Sequence, residues 1–174
     1  MGILIFTARV HDLIHQKSDV EYKLTKLTKR LRDLQQYTAT ISNGGVSIGD
    51  LLSSPASMMG RTMNYLGFAH NSAIAYMNQN APFMQQLYMQ QMGQAQNARQ
   101  QQQMNEYIMR QLYAQGRDRA MQVETKNLKV EEERLAQEKE KLEALGKEIA
   151  AELQSAKEAR DQGIKDMAPK YTFA

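Results

Sequence analysis

The chain has 174 residues, no Cys, no Trp, 3 Pro and 12 Met, with 22 Lys and Arg against 19 Asp and Glu. Without Cys there is no disulfide framework, no Cys-ligated zinc, no iron–sulfur cluster and no thiol nucleophile. The length suffices for about one ordinary domain, and a core short of aromatics and rich in Met fills irregular gaps without specifying them tightly.

The charge is unevenly placed. Residues 1–42 carry seven basic and four acidic side chains, residues 62–98 carry none of either sign, and residues 106–166 carry twelve basic and fourteen acidic. The one basic cluster, Lys23, Lys26, Lys29, Arg30 and Arg32, reads as a solvated helix face, so no nucleic-acid partner is expected. The opening Met1-Gly2-Ile3-Leu4-Ile5-Phe6 is too short for the apolar region of a secretory signal. Phe6 stands where a myristoylation motif needs Ser or Thr. No apolar run approaches the roughly 20 residues of a spanning helix. These signals leave the compartment undetermined, either cytoplasmic or reached by leaderless export.

In chain order, the first element is a helix over residues 3–42. Phe6, Val10, Leu13, Lys17, Val20, Leu24, Leu27, Leu31, Leu34, Thr38 and Ile41 are spaced alternately by four and three, the pattern of a coiled-coil seam with two polar members. Ser42-Asn43-Gly44-Gly45 should end it, and residues 43–54 read as a Gly/Ser connector. That connector lacks the Lys and spacing of a phosphate-binding loop. Pro55 favours the first turn of a second helix over 55–78, with Met59, Met63, Leu66, His70, Ala73 and Met77 at four/three spacing and Gly60, Gly67 and Ile74 in a parallel row.

Asn80-Ala81-Pro82 reads as a break, because the residue before Pro is pushed away from helical angles. Residues 82–118 then read as a Met/Gln-rich, uncharged helix, in which Met84, Leu87, Tyr88, Met92, Met104, Ile108, Leu112 and Tyr113 recur at helical spacing. A charged helix over 119–162 follows, with Met121, Leu128, Leu135, Leu142, Ile149 and Ala156 every seventh residue, a narrow stripe suited to one partner helix. Residues 163–174 form a tail whose Tyr171 and Phe173 are candidate docking side chains.

The fold class is therefore all-α, an elongated hairpin or bundle of long helices with heptad seams at both termini. As one straight helix, residues 82–162 would reach about 120 Å, more than a single copy can cover. The chain either folds back at Gly93 or Gly116 or pairs with copies of itself.

Chemistry is hard to find. His11, His15 and Asp19 have the residue types of a metal site, but ligands eight residues apart lie about 12 Å apart along a helix while metal–ligand bonds are about 2 Å. His70 falls on an apolar row, where a packed histidine is the ordinary reading. No nucleophile–base set is recognisable, so neither enzymatic activity, a metal nor a cofactor is expected.

The uncharged Met/Gln/Asn stretch suits contacts between identical subunits, since no charge has to be desolvated. The candidate seam is Val20, Leu24, Leu27, Leu31, Leu34, Leu128, Leu135, Leu142 and Ile149, and the candidate assembly contacts are Met59, Met63, Leu66, Ile74, Met77, Met84, Tyr88 and Met92. The expected function is a structural, self-assembling subunit of a filament, tube or sheath, partnered by itself and by other helical proteins. Two alternatives stand beside it: an adaptor or chaperone-like module holding a client helix, and a peripheral membrane protein using residues 55–92, a less favoured reading because no basic face flanks that segment. In outline the arrangement is similar to the helical filament and tip proteins exported by type III and flagellar systems, a likeness of architecture without a shared motif.

Overall fold

The computed structural model describes residues 2–42, 48–92 and 98–167. Four helices account for nearly all of them: α1 (Gly2–Ser42), α2 (Ile48–Ser53), α3 (Met59–Met92) and α4 (Ala98–Met167), with no strand among the described residues. The fold is all-α, and no helix among the described residues is long and apolar enough to cross a membrane.

Two compact units divide the chain, one of Met1–Leu31 with Glu133–Ala174, the other of Arg32–Glu132. In the first, the opening turns of α1 run antiparallel to the closing turns of α4. Their shared core is Val10, Leu13 and Val20 against Ile149, Leu153 and Ala156. Arg9 Nη2 donates to Glu152 Oε2 at 2.6 Å across the pair, but both side chains are half exposed, so apolar burial rather than this bridge holds the helices together. The polar seam members are accommodated locally: Lys17 pairs with Glu21 one turn on in this unit, and in the other unit Thr38 returns its hydroxyl to the Leu34 carbonyl.

In the second unit α3 packs on the early turns of α4 in antiparallel sense, Arg61 meeting Glu124 and Glu131, His70 meeting Tyr113, and Tyr76 meeting Gln115. The last turns of α1 join them through Tyr37 and Gln35, and α2 lies against α3.

Several boundaries differ from the sequence reading. The second helix begins at Met59, not at Pro55, because residues 55–58 form a turn closed by Met58 N–H on the Pro55 carbonyl at 2.8 Å. The expected connector holds the six-residue helix α2. There is no break at Asn80-Ala81-Pro82: α3 continues through Pro82 to Met92. An interior Pro costs a helix about 3 kcal/mol. Packing on both sides of it offsets that cost, since Ala81 is buried with Ile108 and Leu112, and Tyr76, Met77, Met84 and Tyr88 pack around them. The Asn80 side chain also donates to the Tyr76 carbonyl at 2.8 Å. The expected division at 118/119 vanishes into α4, which passes through Gly116 and Gly163 to Met167. Gly116 lies inside the continuous helix α4 and is not a fold-back point. Gly93 falls outside the described residues.

Candidate assembly surface

The buried row of α3 is Thr62, Tyr65, Ala69 and Ala73; the row that the sequence spacing singled out shares Ala73 with it, but its members Met63, Leu66 and His70 each lie one residue further along. Small side chains decide the difference. Gly116 of α4 approaches Ala73 so closely that a Cβ placed on the glycine would sit 2.6 Å from the Ala73 Cα. The two helices therefore approach most closely at Ala73 and Gly116, with Ala69 and Ala120 also buried, while Met77, Met84, Met104 and Met109 pack around Ala81, Ile108 and Leu112. Thr62, fully buried, is satisfied by the Met58 carbonyl at 3.0 Å and by Ser54 Oγ at 3.2 Å.

That shift leaves the first members of the methionine row outside. Met59 and Met63 are 44% and 59% exposed, Leu66 and Ile74 are half-buried and His70 is exposed. Phe83 and Leu87, one turn apart, are also exposed, as are Phe68 and Met89 off these rows. Met77, Met84 and Tyr88 are partly buried around the Ala81, Ile108 and Leu112 cluster, so their apolar surface is shared within the chain. The Met92 side chain, Tyr171 and Phe173 lie outside the described residues. Of the seam set, Val20, Leu27, Leu34, Leu128, Leu135 and Ile149 are buried, while Leu24, Leu31 and Leu142 are half-buried. Phe6, at the head of that spacing, is exposed.

The electrostatic counterpart of this surface was missed by pattern reading. Arg61 is the sole formal charge between Asp50 and Arg99, and it points inward. Its Nε donates to Glu124 Oε1 at 2.9 Å and its Nη1 to Glu131 Oε2 at 2.6 Å. Glu124 and Glu131 are seven residues apart, hence on one face of α4, and the guanidinium bridges them. The Tyr37 ring, fully buried on α1, lies 5.6 Å from the guanidinium carbon, and its hydroxyl reaches Glu124 at 3.5 Å. One cation thus ties α1, α3 and α4 together. Burial opposes the Arg61 charge, but the hydrogen bonds to Glu131 and Glu124 outweigh it and hold the guanidinium above its ordinary value. A lone Arg opening a charge-free helix was the signal available in the sequence. Tyr37 carried none beyond lying beside Thr38, a polar member of the seam.

Burial, then the Glu124 carboxylate, push the Tyr37 phenol well above the usual tyrosine range against the pull of Arg61. Tyr65 is raised too, first by burial. Both phenols ionise more readily in the unfolded chain. Their contribution to stability is therefore fully present below the unfolded value of about 10 and is lost as pH rises above it. Alkaline titration of the eight tyrosines should show a late component of about two phenolates by ultraviolet absorbance, appearing together with loss of the helical signal. Complete ionisation with helicity intact would contradict the burial of these rings.

The remaining candidates resolve simply. His11 and His15 face each other edge-on with ring centroids 4.6 Å apart, and no group of three or more metal-ligating side chains occurs among the described residues. A depression lined by Gln101, Gln102, Asn105, Glu106, Met109 and Arg110 lies along α4 alone and is open to solvent. No family model, no curated protein and no solved structure matches the chain.

Proposed function

We infer that this protein is a structural, non-catalytic helical subunit that assembles with copies of itself through the outer face of α3, in the manner of a filament, tube or sheath component. One observation carries the reading: α3 exposes Met59 and Met63 on one row, and Phe68, Phe83, Leu87 and Met89 elsewhere around the helix, while its single formal charge is turned to Glu124 and Glu131. Bringing two such faces together desolvates apolar side chains and neutral amides but no formal charge. An uncharged surface also carries no like-charge repulsion against its own copy, which suits it to an identical partner. The heptad spacing of α1 and α4 would serve as a coiled-coil-like stalk.

Light scattering over a concentration series, followed by negative-stain microscopy, tests the assembly. Met63→Glu places a carboxylate on the exposed row and should abolish self-association. Surface substitutions of this kind usually shift stability by no more than about 0.5 kcal/mol, so the melting temperature and helical signal should hold. A parent protein that stays monomeric at high concentration would overturn the reading. Flotation of that monomer with neutral or anionic vesicles would favour the peripheral-membrane alternative instead.

A further inference from the structure

We propose that His70 makes the α3 contact between copies proton-sensitive, so that gaining a proton at this one side chain weakens assembly. The proposal rests on the self-assembly reading above and adds its regulation.

Three observations meet at this residue. Between Arg61 and Arg99 the chain has no Asp, Glu, Lys or Arg. His70 is the one side chain of that stretch that can become a cation by taking up a proton. It is exposed, and it continues the row Met59, Met63 and Leu66 at the same four/three spacing. Its bonded neighbour gives no counter-charge: Nδ1 lies 2.9 Å from the Tyr113 hydroxyl, with the two rings edge to face at 5.9 Å. A phenol can donate to the neutral ring or accept from the charged one, so the hydrogen bond survives protonation in either state.

The charges nearby are mainly positive. On α4, the helix packed against α3 here, the cations are Arg110 and Arg117, one turn to either side of Tyr113, and Arg119, over the Tyr76 ring at 4.4 Å; the carboxylate among them is Asp118, flanked by Arg117 and Arg119 and acting with Arg117 on Tyr65. The carboxylate of Glu106 is engaged with Arg110 at 3.7 Å. No carboxylate is a described hydrogen-bond or ion-pair partner of His70. In the free subunit water solvates an imidazolium at this position. Under a second copy's uncharged face it would be covered by Met, Asn and Gln, and covering an unpaired charge is costly. The contact therefore excludes the proton. Linkage fixes the direction: assembly is strongest where the histidine is neutral and weakens as pH falls, by up to about tenfold per unit for each proton excluded.

The dissociation constant of the full chain, measured by sedimentation equilibrium at pH 7.5, 6.5 and 5.5 with circular dichroism at each pH, decides the matter. The parent should weaken about tenfold or more from the first condition to the last with helicity unchanged. His70→Gln keeps a partner for Tyr113 but cannot take a proton, and should give a flat profile. His11→Gln/His15→Gln should respond as the parent does. A parent constant that does not move with pH, or a His70→Gln profile as steep as the parent's, would overturn the proposal while leaving self-assembly standing. A parent that is monomeric under all three conditions would overturn the assembly reading and this proposal with it.

Discussion

Arg61→Met should destabilise the protein by about 3 kcal/mol, lowering its melting temperature by roughly 6–12 °C in a chain of this size. The physical reason is what the substitution leaves behind. Glu124 and Glu131 face the guanidinium with only 17% and 22% of their side chains exposed, and removing the cation takes its charge-assisted hydrogen bonds from both carboxylates. The bridge itself is not the source of the cost, since ion pairs at this depth roughly balance their own desolvation. Arg61→Met combined with Glu124→Gln and Glu131→Gln should accordingly recover most of the loss. Thermal denaturation of the single and triple variants measures both effects. A single variant melting within about 2 °C of the parent would mean that the node does not join the helices.

Gly116→Ala should also destabilise, by about 2 kcal/mol, although alanine is the better helix former by about 1 kcal/mol. The new methyl would lie 2.6 Å from the Ala73 Cα and 3.1 Å from the Tyr76 Cβ. The first of these is backbone, so α3 and α4 have to separate instead of a flexible side chain moving aside. Gly67→Ala is the matched control. It too lies within a helix, but nothing stands within 4 Å of its added methyl, and it should stabilise by up to about 1 kcal/mol. Opposite signs at two helical glycines in one melting experiment would place the close approach at Gly116. Stabilisation by both substitutions would refute it.

Much of the helical content was legible because it rests on spacing. Val20, Leu27, Leu34, Leu128, Leu135 and Ile149 follow the heptad pattern and are buried. Boundaries were less legible where a local rule met tertiary packing. Pro82 disfavours a helix locally, yet the contacts around Ala81, Ile108 and Leu112 carry α3 through it. On α3 the methionines outweigh the alanines in any count of apolar side chains, so the spacing led to Ala73 through Met63, Leu66 and His70, while the buried residues before Ala73 are Thr62, Tyr65 and Ala69. Hydrophobicity alone cannot register that a glycine on another helix admits a closer approach. The Arg61 node was illegible for a similar reason: Tyr37, Arg61 and Glu124 are separated by 24 and 63 positions, and no periodicity links them.

The notch formed by Ala73 and Gly116 also settles how far along one another the two helices can slide. Methionine side chains bend to fit many neighbours, so a contact made of Met77, Met84, Met104 and Met109 would be nearly degenerate among offsets of one helical turn. Moving α4 by one turn in either direction would bring Leu112 or Ala120 opposite Ala73, and even the smaller of these carries the methyl for which there is no room. Between two adaptable surfaces, the position that lacks a side chain selects a single alignment. The specificity missing from the methionines is supplied by an absence of atoms.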